Sequence, residues 1–187
     1  MENIHIALFA CSNGYGHIKR LLLLSQALSL TGANPVLFAP KMSTELIAKK
    51  EGITTYSVND FNPNTSKENW QDGSAINWIK FVPNLSKFDV VICDNMIEIL
   101  LIRPDAWISG SFFWHDAFNN FPVHLKKKSL ELLKQYKPRM ISSELFSSDQ
   151  LHLHTELYEV GLYSGYSLDN HFSKKTDALI ACGIGGS

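Results

Sequence analysis

Short apolar segments alternate with segments of helical periodicity over the first sixty residues. Residues 4–10, 36–39 and 53–58 are apolar over the length of a strand. Between them, residues 21–30 and 44–50 carry apolar side chains at the spacing of a helix face. Strands that are apolar on both sides are typical of a parallel sheet covered by helices. The order β-α-β-α-β therefore predicts an α/β fold with a doubly wound parallel sheet.

The same alternation continues along the rest of the chain. Two further helices are predicted at residues 75–82 and 125–136. Four further strands are predicted, at residues 89–93, 106–113, 139–142 and 156–161. The sheet predicted from the whole chain is therefore larger than the first β-α-β-α-β unit.

Turn-forming residues mark the boundaries of these elements. Ser43 is the predicted N-cap of the second helix, and Gly52 lies just past its end. Residues 59–72 have the composition of a long loop, and residues 162–177 that of a linker. Residues 178–182 predict a fresh buried strand that runs into a glycine-rich turn.

Composition and charge are those of an ordinary globular protein. The 187 residues suffice for one full-sized domain and are few for two, and 45% of them are hydrophobic. The net charge of -1 argues against a surface that coats nucleic acid. No apolar run approaches the roughly 18 residues of a membrane span. Three widely spaced cysteines, Cys11, Cys93 and Cys182, predict reduced thiols in a cytoplasmic protein.

The turn between the first strand and the first helix holds the strongest candidate chemistry. Residues 14–20 read Gly-Tyr-Gly-His-Ile-Lys-Arg. Ligands of open α/β sheets bind at the carboxyl ends of the strands, and the glycines allow the backbone to approach a ligand closely. His17, Lys19 and Arg20 fall in the first helical turn, where cations oppose the helix dipole unless an anion compensates them. The cluster favours a site that an anion visits, although solvated cations would also fit the sequence.

Other motifs are poorly matched. A dinucleotide fingerprint would need a glycine where Lys19 stands and an acidic residue near Pro40. Neither a P-loop nor a nucleophile elbow occurs. His152 and His154 form the only close pair of histidines, which suits a surface strand better than a metal site. No metal and no cofactor are expected.

Residues 12–28 and 34–38 carry a resemblance to a known superfamily. They read Ser-Asn-Gly-Tyr-Gly-His-Ile-Lys-Arg-Leu-Leu-Leu-Leu-Ser-Gln-Ala-Leu and Asn-Pro-Val-Leu-Phe. This opening resembles that of GT-B glycosyltransferases, which begin with a strand, a G-x-G-H-x-x-R loop and a leucine-rich helix. It is also similar to the UDP-sugar hydrolase of pseudaminic acid synthesis. The resemblance implies a Rossmann-like N-terminal domain over residues 1–170, followed at 171–187 by a linker and the start of a second domain.

The resemblance also implies roles for individual residues. His17 would act as base or neighbour of a phosphate, and Arg20 would position the loop or balance phosphate charge. Asp94 would orient His17 or bind a sugar hydroxyl, although a helix-cap or loop role suits it equally. Trp114 would stack on a sugar or pack at the edge of the core. The remaining candidate substrate contacts follow predicted strands at the same edge of the sheet: Asn13, Gly14, Tyr15, Gly16, Asn95, His115 and Asp116.

The expected function follows from the same resemblance. The chain would be the N-terminal, acceptor-binding half of a transferase that takes a sugar from a nucleotide sugar, UDP-linked by preference. The donor half is missing from these 187 residues, so we expect the chain alone to be inactive or nearly so. The expected acceptor is a carbohydrate or glycolipid of cell-surface polysaccharide. No nucleic-acid partner is expected.

Two alternative functions and a cellular localisation are also expected from the sequence. The chain could instead be part of a UDP-sugar hydrolase, in which His17 activates water, or a non-catalytic binding domain. We expect a cytoplasmic protein. Lys126, Lys127 and Lys128 lie beside leucines on one predicted helix, and this patch could contact the inner membrane surface.

Overall fold

The sheet at the centre of the molecule contains seven strands. The computed structural model describes residues 4–11, 14–62, 74–143 and 147–160. Within these ranges the strands are His5–Phe9 (β1), Asn34–Ala39 (β2), Val58–Asp60 (β3), Val90–Asp94 (β4), Trp107–Ser109 (β5), Arg139–Ser143 (β6) and Glu156–Val160 (β7). All neighbouring strands are parallel, in the order β3-β2-β1-β4-β5-β6-β7. The predicted α/β, Rossmann-like doubly wound sheet is confirmed.

Helices connect the strands. The α-helices of the described residues are Tyr15–Leu30 (α1), Lys41–Glu51 (α2), Trp114–Ala117 (α3), Val123–Tyr136 (α4) and Leu151–His154 (α5). Two 3₁₀ helices, Ser74–Phe81 and Ile97–Leu101, precede and follow β4. None of these helices is both long and apolar enough to cross a bilayer.

The order of the strands reverses between β1 and β4. From β1 the chain moves outward through β2 to β3, then returns to place β4 on the other side of β1. At such a reversal the connections leave in opposite directions, so a crevice opens beyond the carboxyl ends of the two strands. The start of α1, which follows β1, and the last residue of β4 therefore lie at the position where this class of fold binds ligands.

Two hydrophobic clusters cover the two faces of the sheet. On β1, Phe9 belongs to a cluster rich in aromatic rings, and Leu8 belongs to the cluster that α1 and α2 cover. Phe9 stacks on Phe38 with ring centroids 4.5 Å apart, and the edge of Phe61 meets Phe9 at 5.5 Å. Because β1 is completely buried from residue 7 to residue 9, its position is anchored from both faces.

α2 begins differently from the prediction. Pro40, not Ser43, is the residue before the helix. The proline side chain has no polar group that could cap the helix. Instead, the carboxylate of Asp60 at the end of β3 accepts a hydrogen bond of 2.9 Å from the backbone N–H of Lys41. A free N–H at the first turn is thereby satisfied from a neighbouring strand, which is why a local cap is unnecessary.

β3 is shorter and later than the predicted strand at residues 53–58. Gly52 adopts a left-handed conformation (φ 69) at the end of α2, and the N–H of Ile53 donates to the carbonyl of Ala48. This is the hydrogen-bond pattern of a glycine C-cap, in which the next apolar side chain packs back on the helix. Ile53 therefore completes α2, and pairing with β2 begins only at Val58.

β5 is also shorter than the predicted strand at 106–113. Gly110 has φ 150 and turns the chain away from the sheet after Ser109. Residues 114–117 then form α3, which the sequence pattern did not predict, and neither did it predict the 3₁₀ helix at 97–101. The predicted linker at 162–177 and strand at 178–182 lie outside the described residues.

Candidate functional site

A histidine and an aspartate meet in the crevice between β1 and β4. His17 lies in the first turn of α1, directly after the β1 loop, and Asp94 is the last residue of β4. Their side chains are hydrogen-bonded, with Nδ1 of His17 2.9 Å from Oδ2 of Asp94. The sequence placed both residues at the carboxyl edge of the sheet. The structure adds that of the roles considered for Asp94, orienting His17 is the one its contacts fit.

Two further side chains contact the Asp94 carboxylate. Its other oxygen, Oδ1, accepts a hydrogen bond of 3.0 Å from the hydroxyl of Ser109. Nη1 of Arg20 lies 3.4 Å from the same oxygen. Asp94 is completely buried, so these contacts replace its lost hydration. A buried carboxylate with three polar neighbours is held in one orientation.

Ser109 is a site residue that the sequence analysis missed. It ends β5, and it lies opposite Asp94 in the register of the two parallel strands. The predicted strand, residues 106–113, extends four residues past the observed end of β5. Ser109 therefore lay in the middle of the predicted strand and not at its end. An earlier end to that strand, at Gly110, would have placed Ser109 at the same edge of the sheet as Asp94.

The arrangement determines which nitrogen of His17 can react. A carboxylate only accepts hydrogen bonds, so the Nδ1 of His17 donates its proton to Asp94. Nε2 is then left with a lone pair and can take a proton from a hydroxyl group or from water. The positive imidazolium that forms would be stabilised by Asp94 in its buried position.

The other cation of the first helical turn is also paired within the chain. Nζ of Lys19 lies 2.7 Å from Oε1 of Glu51, at the end of α2. With Arg20 close to Asp94, both cations therefore have carboxylate neighbours. The sequence had favoured an anion from outside the chain as their compensation. Their internal partners remove the need for one.

A groove lies between the start of α1 and α2. Tyr15 and Gly16 line it on one side, and Leu46 and Lys50 line it on the other. The groove has a volume of about 260 Å³, and the Tyr15 side chain is well exposed beside it. Gly14, the residue before the helix, has φ 123, a conformation that glycine adopts readily. Asn13 lies outside the described residues.

Asn95 is buried and engaged in the backbone of the site. It adopts a left-handed conformation (φ 57) directly after Asp94. With its carboxamide oriented to donate, Nδ2 lies 3.2 Å from the carbonyl oxygens of both Ser109 and Phe112. Its own N–H donates to the carbonyl of Ser109 at 2.8 Å. The structure therefore places Asn95 where it joins the ends of β4 and β5, and only 3% of the residue is exposed.

Trp114 lies between His17 and a second aromatic ring. Its ring centroid is 5.7 Å from that of His17, with the rings tilted. Phe118 stacks on it at 5.4 Å, and Phe112 meets it edge-on at 5.1 Å. Trp114 is thus surrounded by rings, whereas Phe118 is 39% exposed and was absent from the residues singled out in the sequence.

His115 and Asp116 differ in exposure. His115 is buried and stacks on Phe113 with centroids 5.3 Å apart. Burial lowers the pKa of His115, and the nearby cation Lys126 lowers it further, against the opposing effect of Asp116. Asp116 is partly exposed, with Oδ1 3.7 Å from Nζ of Lys126. Of the two, only Asp116 can reach solvent at the rim of the site.

His152 and His154 belong to a short helix, α5, and not to a surface strand. The preceding turn at Ser148 continues into this helix, since the N–H of Leu151 donates to the carbonyl of Ser148. Across the parts of the chain that the structure describes, no group of three or more histidine, cysteine or acidic side chains could hold a metal ion.

No family model matches the chain, and no curated protein matches it significantly. What can be said of its chemistry therefore comes from the site, where His17, Asp94 and Ser109 meet at the reversal of strand order.

Proposed function

We propose that this chain is the acceptor-side domain of a GT-B glycosyltransferase and that His17 is its general base. The observation that carries the proposal is the bond between His17 and the buried Asp94, at the position where α/β sheets bind ligands. The resemblance of residues 12–28 to the opening of such enzymes supports the same assignment.

In the proposed reaction, Nε2 of His17 takes the proton of an acceptor hydroxyl. The acceptor oxygen forms a bond to the anomeric carbon of the donor sugar, and the bond from that carbon to the nucleotide diphosphate breaks. The diphosphate leaves with the bonding electrons. Asp94 positions the imidazole and balances the charge it gains, while Ser109 and Arg20 hold Asp94 in place.

The acceptor would lie along the aromatic wall that Trp114 and Phe118 form beside His17. Phe118 stacks on Trp114 and is 39% exposed, so part of its ring is open to solvent next to the ring that contacts His17. An aromatic face can pack against the C–H groups of a sugar ring, and the rim carboxylate of Asp116 can accept hydrogen bonds from sugar hydroxyls. Trp114 itself, packed between other rings, acts in this proposal as support for Phe118 and His17.

Donor binding would fall mainly to a second GT-B domain. The proposal therefore expects transfer only when such a domain is supplied. The test compares the 187-residue chain alone with the same chain fused to a donor-binding GT-B domain, over a panel of UDP-sugars and saccharide acceptors. Acceptor-dependent UDP release by the fusion protein alone is the expected result. Robust transfer by the 187 residues alone would contradict this division of labour.

Variants of the fusion protein test the role of the hydrogen-bonded pair His17 and Asp94. We expect His17→Ala to lower kcat by about 10³-fold, because the base that accepts the hydroxyl proton is removed. Asp94→Asn should lower kcat by about 10²-fold or more, because an amide can donate to Nδ1 and place the proton on Nε2. His124→Ala, on the exposed side of α4, is the matched control. A His17→Ala variant with unchanged kcat would reject the assignment.

A second candidate is hydrolysis of a UDP-sugar with the same base. Only 9% of His17 is exposed, an opening that suits a nucleophile as small as water. Water would lose its proton to Nε2 and attack phosphorus, and the bond within the diphosphate would break to release UMP and a sugar phosphate. Sugar phosphate formed without an acceptor distinguishes this reaction from transfer. Binding of saccharide with neither product would indicate a non-catalytic domain.

A further inference from the structure

A small cavity lies behind the aromatic wall of the site. It is enclosed by the 3₁₀ helix at 97–101, by α3 and by α4, and it leaves about 10 Å³ for the centre of a water-sized sphere. This is room for one water molecule. Its polar lining comes from four side chains, Asn95, Glu98, His115 and Ser129. None of the steps proposed above uses Glu98 or His115.

Two of these side chains have polar atoms without a partner. Oε2 of Glu98 and Nε2 of His115 are both buried and make no hydrogen bond. Only 6% of Glu98 and 4% of His115 is exposed, so bulk water does not satisfy them. Asp116 Oδ2 lies 3.6 Å from Nε2 of His115, beyond hydrogen-bond distance. A buried polar atom left unpaired is destabilising, and internal water is the usual remedy.

We propose that one water molecule occupies this cavity, bridges Oε2 of Glu98 and Nε2 of His115, and couples the protonation of the two side chains. With Glu98 protonated, its hydroxyl donates to the water, and the water donates to the lone pair of Nε2. One water molecule can serve both groups because it offers two donors and two acceptors. Both side chains line the cavity that would hold it.

The charges around the pair agree with a neutral arrangement. Burial raises the pKa of Glu98 to about 7, against weaker opposing effects of its own backbone N–H, of the Trp78 side chain and of Lys128 on α4. Burial lowers the pKa of His115, with Asp116, Lys126 and His154 as the other ionisable groups that act on it. Between the lowered pKa of His115 and the raised pKa of Glu98, the carboxyl therefore keeps its proton and the imidazole stays uncharged. These are the protonation states that the bridge needs.

The bridge would connect the 3₁₀ helix at 97–101 to α3, the helix that carries Trp114. Glu98 belongs to the 3₁₀ helix after β4, and His115 belongs to α3. α3 begins with Trp114, whose ring contacts His17. Loss of the bridge would therefore affect the packing of the residue next to His17. The bridge itself does not depend on the proposed reaction, and its test needs no substrate.

The test uses the whole 187-residue chain. The protonation of His115 is followed by NMR of its imidazole nitrogens across a pH titration. In the unaltered chain we expect the His115 signals to show an inflection near pH 7, where Glu98 titrates, in addition to the midpoint of His115 itself. Glu98→Gln should lose this inflection, because glutamine does not ionise. Glu131→Gln makes the same chemical change on the exposed side of α4 and should retain it. A His115 titration without the inflection in the unaltered chain, or one that keeps it in Glu98→Gln, would overturn the coupling.

A crystal structure of the unaltered chain is the second measurement, and it decides the matter if Glu98→Gln does not fold. We expect density for one water molecule at about 3 Å from both Oε2 of Glu98 and Nε2 of His115. A dry cavity, or a direct bond between the two side chains, would refute the bridge.

Discussion

At the scale of single residues, the site is organised around the two oxygens of Asp94. His17 contacts one oxygen, and Ser109 and Arg20 contact the other. These neighbours come from α1 and β5, so no short sequence motif contains the whole cluster. The orientation of His17 therefore depends on contacts between residues 77 and 15 positions apart in sequence.

Ser109→Ala should destabilise the fold. It removes a hydrogen bond to a completely buried carboxylate, and such bonds to charged groups contribute about 2 kcal/mol. The free energy of unfolding is measured by urea denaturation. Ser109→Thr keeps the hydroxyl and should recover most of the loss, whereas Ser86→Ala on the surface should change little. Equal losses in the alanine and threonine variants would indicate a steric cause instead.

Gly110→Ala should be more damaging. A Cβ at this position would lie 1.6 Å from the carboxamide of Asn95, and the backbone has φ 150. Strain and displacement of Asn95 together should cost about 3 kcal/mol or more. Gly16→Ala is the matched control, because no atom lies within 4 Å of its Cβ position and alanine favours a helix. Comparable unfolding free energies for the two variants would contradict the close packing of Asn95.

At the scale of elements, the hydrogen-bonding groups at the end of one helix or strand are satisfied by residues of a neighbouring segment. α2 is capped by Asp60 from β3, and its last turn closes through Gly52 and Ile53. Asn95 joins the ends of β4 and β5 in the same way. The ends of helices and strands are therefore determined by contacts between elements as well as by local sequence.

Asp60→Ala should destabilise the start of α2. The variant leaves the N–H of Lys41 without its side-chain acceptor, at an expected cost of about 1 kcal/mol. Amide hydrogen exchange at residues 41–44 should increase in parallel. Asp60→Asn retains an acceptor oxygen and should lose less. Unchanged exchange in Asp60→Ala would show that water replaces the cap at no cost.

At the scale of the whole molecule, one reversal in strand order places the site, and two hydrophobic clusters stabilise it. Buried ionisable groups in the 3₁₀ helix at 97–101 and in α3 make the free energy of unfolding depend on pH. Glu98 is buried in the first turn of the 3₁₀ helix that follows β4. Its burial therefore has a consequence for the free energy of unfolding of the entire chain.

The unfolding free energy should fall as the pH rises from about 4.5 to about 7, because the pKa of Glu98 is raised from 4.5 to about 7 by burial. In this window the unfolded chain releases a proton that the folded chain keeps. The loss contributed by Glu98 should reach about 3 kcal/mol and then level off. The lowered pKa of His115 has the opposite effect. It reduces the unfolding free energy as the pH falls below the ordinary pKa of histidine, because the unfolded chain then binds a proton that the folded chain does not.

Glu98→Gln isolates the contribution of Glu98, since glutamine does not ionise. Urea denaturation at several pH values should show that the free energy of unfolding of this variant no longer falls between pH 4.5 and 7. Glu131→Gln should retain the dependence of the unaltered chain. If both variants behave alike, the pH dependence has another origin.

Much of the fold was predictable because buried parallel strands leave a simple pattern. The β1 segment is apolar throughout, and α1 carries a dense run of leucines, so both elements could be recognised locally. His17 and Asp94 could be assigned to one edge of the sheet for the same reason. Ser109 and Phe118 could not, because the end of β5 and the short helix α3 depend on the turn at Gly110.

The amino-acid sequence by itself determined the α/β class, the order of most elements and the edge of the sheet where His17 and Asp94 lie. Local periodicity and glycine positions are sufficient for these, because burial on both faces requires continuous apolar segments. Only the tertiary structure decided that Asp94 holds His17, that Ser109 and Arg20 hold Asp94, and that Glu98 and His115 line one cavity. These contacts join distant segments, and their geometry is set by the packing of strands and helices against one another.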